Sequence, residues 1–235
     1  MGLDIYVGSL TRYYCRDWKT VIERLGEELG VHAEKTHPPP PEDAITDPDE
    51  IHVGVLAWRS GLASAAATIV SGPWDWDEDP TSPYYTDKLG WYGYNGLQML
   101  AACKEMKLRL PKELPADLNA DNAWLEARKS KRYAHLFHPA VWLPLEFDTV
   151  FETRLPTDAR VDFGSAPRLV WQLRDLNART LKGSASDLER WRRSDEFPDA
   201  VADWTLEIAA KYGLAVFLRA AERAVDNRLP MLLDW

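Results

Sequence analysis

The chain has 235 residues, 46% hydrophobic and 28% charged, an ordinary globular composition with length for one large domain or two small ones. Its formal net charge of −9 argues against non-specific nucleic-acid binding, which needs a basic face. No apolar run approaches the ~20 residues of a membrane span, and two cysteines, Cys15 and Cys103, make no disulfide framework, so the expected setting is reducing and cytoplasmic.

Residues 1–6 lack the basic and apolar regions of a secretory leader. They also lack Ser or Thr at the sixth position for myristoylation. Leu3, Ile5 and Val7 alternate with Asp4 and Tyr6, the period of a half-buried strand. Asp17 offers an N-cap, and Trp18, Val21, Ile22, Leu25 and Leu29 follow at helical spacing up to Gly30. Pro38-Pro39-Pro40-Pro41 reads as a stiff polyproline connector.

Asp47-Pro48-Asp49-Glu50 is a strong helix start, with a cap, an early Pro and acids in the first turn. Ile51, Val55, Trp58, Leu62, Ala65 and Ile69 hold one face of that helix to Val70. Gly54 and Gly61 within it suggest close packing against another helix. A further helix is expected from Trp91 to about Lys107. Asp121 caps another, carrying Trp124, Leu125, Arg128 and Tyr133. Val141 to Leu155 reads as strand, and Phe151 with Val161-Asp162-Phe163 suggests a second strand after a Leu-Pro-Thr-Asp turn. These strands are expected to pair with residues 3–7.

Ser165 caps the next helix, with Leu169, Leu173 and Leu176 on its buried side and Gly183 at its end. Ser186-x-x-Glu189 reads as a capping box for a short helix. Pro198 opens the last helical region, which Gly213 is expected to split. The tail from Leu229 to Trp235 is too apolar to leave in water and is expected to dock on the core. The pattern as a whole predicts an α+β fold: one mainly helical domain over 1–235 with a small, largely antiparallel sheet.

The stretch 71–106 is the most informative for function. Gly72-Pro73 stops what precedes it, and Pro80 and Pro83 keep 74–85 a loop. Its many rings argue against disorder, and a long ordered loop tends to be a binding loop. Trp74, Asp75, Trp76, Asp77, Asp79, Tyr84, Tyr85 and Trp91 are therefore the expected binding residues. Trp74 and Trp76, two apart in an extended segment, should point one way and Asp75 and Asp77 the other.

Asp75, Asp77 and Asp79 have the spacing of a calcium loop, but that loop needs Gly at its sixth position and Glu at its twelfth. Pro80 and Thr86 stand there. Asp117-x-Asn119-x-Asp121 fails likewise at Arg128. His135 and His138 lack further ligands at a recognised spacing. No metal or other cofactor is expected. The nucleophile-elbow, Walker and dinucleotide motifs are absent. Cys15, near a helix start, is the better of two thiol candidates. The basic runs Arg128–Arg132 and Arg190–Arg193 read as solvated faces.

The leading expectation is a non-catalytic, acidic binding protein, such as an immunity- or antitoxin-type inhibitor of a basic protein partner. The alternative is a hydrolase or a sugar or small-molecule binder using the aromatic–acidic loop 73–94.

Overall fold

A computed structural model describes residues 2–31, 45–70, 72–115 and 117–235. The polyproline run 38–41 lies outside them. Among the described residues a six-stranded mixed sheet carries helices on both faces. The strands are β1 (Asp4–Val7), β2 (Tyr85–Lys88), β3 (Val141–Leu143), β4 (Phe151–Arg154), β5 (Arg160–Ser165) and β6 (Met231–Asp234). They lie in the order β2-β1-β6-β3-β5-β4, and of their pairings only β3 with β5 is parallel.

β1 is buried on both sides. Ile5 and Val7 face one core, while Tyr6 faces the other. The expected half-buried strand is thus a covered one, because helices pack on both faces. β1 also does not pair with β3 or β5: it sits between β2 and β6, with Tyr6 opposite Thr86 and Leu232. The apolar tail does dock, and it does so as a central strand. Residues 141–155 form two strands rather than one, and the Leu155–Asp158 turn leads from β4 into β5.

The larger core is built by α4 (Gly90–Glu105), α7 (Ala166–Arg179) and α9 (Leu206–Asn227), with α5 (Asn122–Arg128), α6 (Ala134–Phe137) and α8 (Ala185–Arg193) around them. Gly213 does not split α9. A Cβ there would stand 2.1 Å from the Gly93 carbonyl oxygen, and one at Gly96 would stand 2.7 Å from the Ala209 Cβ. These glycines let α4 and α9 cross with backbones nearly touching. Gly54 and Gly61, expected to serve such a contact, have nothing within 4 Å of an added Cβ.

The smaller core lies on the other face, under α1 (Leu10–Cys15) and α3 (Pro48–Ala65). Asp47 caps α3 by accepting from the Asp49 amide, with Pro48 at its start. Ser165 caps α7 and Asp121 caps α5, as expected. Two caps shift. The box before α8 is Ser184 with Asp187, not Ser186 with Glu189. α2 (Val21–Glu28) is capped by Thr20 and Glu23, not Asp17. Trp18 therefore precedes α2 and is buried against Tyr6 and Tyr13, with ring centroids 5.0 and 5.6 Å away. Ile22, Leu25 and Leu29 stay exposed.

Candidate functional site

The loop after α3 runs along the smaller core and alternates. Trp74 is half-buried, Trp76 is 2% exposed and Glu78 is 4% exposed, while Asp75 and Asp79 face solvent and Asp77 is half-buried. The extended backbone causes this, because its side chains alternate between faces. The inward side meets Trp58: its ring centroid lies 6.4 Å from Trp76, which is also 6.4 Å from Trp74.

Three hydrogen bonds hold the Glu78 carboxylate. Trp76 Nε1 donates to Oε1 at 2.5 Å. The Thr11 amide and hydroxyl donate to Oε2 at 2.9 and 3.1 Å. Thr11 is fully buried at the start of α1, and its hydroxyl also lies 3.2 Å from His52 Nδ1 on α3. Burial pushes the Glu78 carboxyl above its ordinary range, and the donors only partly offset it.

The aspartates have local partners. Asp75 pairs with Arg228 at 3.0 Å. Asp77 accepts from the Asp79 amide at 2.9 Å and from the Ser82 hydroxyl. Asp79 accepts the amide and hydroxyl of Thr81, both at 2.7 Å, and these bonds hold its carboxyl below the usual range. Such side-chain turns fix the loop's course. Arg59 donates to the Trp76 carbonyl at 2.8 Å and lies over the Trp76 ring.

These groups surround an open cleft of about 670 Å³, lined by His52, Arg59, Arg228 and the stretch 75–80. Of the expected binding residues, Asp75, Trp76, Asp77 and Asp79 meet there. Trp74 lies behind them in the smaller core. Tyr84 also belongs to that core, accepting from the Lys19 amide at 3.1 Å and covered by Arg12. Tyr85 faces the larger core under Arg223. Trp91, exposed at the start of α4, is 6.2 Å from Trp235. The concavity beside the carboxylates is thus flanked by Arg59 and Arg228, and the expected binding residues Tyr84, Tyr85 and Trp91 do not line it. Sequence reasoning missed Glu78, Thr11 and His52. The alternation Trp-Asp-Trp-Asp-Glu-Asp already puts Glu78 on the inward side with the tryptophans, whereas nothing local ties Thr11 or His52 to it.

The other candidates have structural surroundings. Cys15 ends α1, and burial with nearby Asp17 raises its thiol, which removes the basis for a nucleophile. Cys103 is buried and also raised. His135 accepts from the Ser165 amide at 2.9 Å and donates to the Asp148 carbonyl at 3.0 Å, while His138 bonds the Arg128 carbonyl. Among the described residues no group of three His, Cys, Asp or Glu side chains is placed to hold a metal. In the basic runs, Lys129, Arg132, Arg190, Arg192 and Arg193 all have acidic partners. A second groove of about 950 Å³, between α1, α3 and the β4–β5 turn, is lined largely by rings and aliphatic groups and holds none of the loop's carboxylates.

Fold and site together define an α+β protein with a mixed-charge cleft beside one face of its sheet. Among the described residues, no helix is long and apolar enough to cross a membrane. No protein-family model, curated protein or solved structure matches the chain.

Proposed function

We propose that the chain binds a small, polar, hydroxyl-bearing molecule in the cleft beside loop 73–94. One observation carries this: acceptors from Asp75, Asp77 and Asp79 and donors from Arg59 and Arg228 converge on a single concavity of about 670 Å³. A hydroxyl both donates and accepts, so it matches such a lining. The volume is that of a small-molecule site.

The reading as an acidic inhibitor of a basic protein partner, of immunity or antitoxin type, rests on the net charge of −9 and on the exposure of Asp75 and Asp79. It comes second because Arg59 and Arg228 share the cleft with these carboxylates, and a basic partner would meet their like charge there.

Titration of the labelled chain with glucose, galactose, ribose and glycerol at millimolar concentration tests the proposal. Amide shifts at residues 75–79, His52 and Arg59, abolished in Arg59→Ala, are the expected result. Unmoved amides with all four, together with a stoichiometric basic protein retained on purification, overturn it in favour of the second reading.

A further inference from the structure

The hydrogen bonds at the cleft floor fix more than the loop. Glu78 Oε2 accepts both the amide and the hydroxyl of Thr11. A threonine hydroxyl has one hydrogen. Once that hydrogen goes to the carboxylate, only a lone pair remains for His52 Nδ1, 3.2 Å away. His52 Nδ1 must then carry the proton and donate. In the neutral ring this leaves Nε2 unprotonated, and the two ring nitrogens point in different directions, so Nε2 faces away from Thr11. Among the described residues no hydrogen bond reaches Nε2, and His52 lines the cleft. A carboxylate, a buried hydroxyl and an imidazole in series are a means of orienting a base.

We propose that His52 is a general base for hydrolysis of a small carboxylic ester bound in the cleft, with Thr11 and Glu78 as the residues that position it. The inference rests on the binding role just proposed and names the ester of a hydroxyl-bearing molecule as its substrate class. Nε2 takes a proton from a water as the water oxygen bonds to the ester carbonyl carbon, and the carbonyl π pair moves onto oxygen. Arg59 and Arg228 use one guanidinium nitrogen each, for the Trp76 carbonyl and for the Asp75 carbonyl and carboxylate; among the described residues no hydrogen bond takes their other N–H groups, which are left to face that oxyanion. When the carbonyl re-forms, the C–O bond to the alcohol breaks, and the imidazolium returns the proton to the leaving alkoxide. Acid and alcohol are released, and no oxidant or further reactant is needed.

Two measurements on the full chain test this. Imidazole nitrogen shifts of the ¹⁵N-labelled wild type report the tautomer directly. The Nδ1–H form is expected at His52, moving to a mixture in Thr11→Val. An Nε2–H form in the wild type overturns the proposal without any variant. Hydrolysis of p-nitrophenyl acetate is then compared between wild type, His52→Gln and His138→Gln. General-base catalysis is typically worth ~10²–10⁴-fold, so His52→Gln should lose at least about tenfold of the protein-dependent rate. His138→Gln should keep it, because that ring bonds the Arg128 carbonyl away from the cleft. Equal rates in wild type and folded His52→Gln overturn the proposal. His52-dependent cleavage without polyol-induced amide shifts removes the polyol reading and keeps the base. The reverse removes the base and keeps the cleft.

Discussion

At the scale of single residues, Glu78 is the side chain on which the loop turns. Its carboxylate takes three donors from two separate segments, so it ties the loop to the start of α1. Glu78→Gln keeps the size but replaces one acceptor oxygen with an NH2 that faces buried donors. Leaving such a group unsatisfied costs about 1–3 kcal/mol, and denaturant unfolding at neutral pH should show a loss in that range. The pH dependence has a definite sign. Burial raises the folded-state carboxyl above its ordinary 4.5, so the folded chain binds that proton more tightly than the unfolded chain does. The contribution of Glu78 is therefore greatest below 4.5 and falls as pH rises towards the raised value. The Gln variant lacks this slope, so its deficit relative to wild type should shrink as pH rises through that window. A deficit that widens instead would contradict burial as the dominant influence on Glu78.

At the scale of elements, helix ends were more legible than helix faces. Asp47, Asp121 and Ser165 act as the caps that their positions suggest, because a cap is a local bond between a side chain and an amide two or three residues on. Faces depend on what lies opposite. Ile22, Leu25 and Leu29 have the spacing of a buried stripe, yet α2 buries only Gly26. The helix glycines make the point measurable, since two of one residue type should respond with opposite signs. Gly54→Ala adds a methyl to open space on α3 and should stabilise the fold by roughly 0.5–1 kcal/mol, the ordinary gain of Ala over Gly in a helix. Gly213→Ala drives a methyl into the Gly93 carbonyl and should cost about 1–3 kcal/mol, the usual range for overpacking. Melting curves of the two variants decide this. A neutral Gly213→Ala would mean that α4 and α9 are not held at that distance.

At the scale of the whole molecule, the sheet depends on its last strand. β6 bonds β1 on one side and β3 on the other, and Leu229, Met231, Leu232 and Leu233 are buried. Each such side chain contributes roughly 1.5–3 kcal/mol. Deleting residues 229–235 also takes one partner each from β1 and β3 and divides the sheet into two separate pieces. The truncated chain should therefore lose cooperative unfolding altogether, as followed by near-ultraviolet circular dichroism against denaturant. A sharp transition at the wild-type midpoint would show the strand to be dispensable. The sequence by itself determined the α+β class, most helices, the turn at residues 155–158 with the strand after it, and the docking of the tail, because caps, turns and periodicity act over a few residues. It also carried the alternation that turns Glu78 inward. Only the tertiary structure decided the strand order, the glycine crossing of α4 and α9, and the meeting of Thr11, His52 and Glu78. Those contacts join residues 41 and 67 positions apart, and no local pattern records which distant partner a side chain will face once both sides of a sheet are covered.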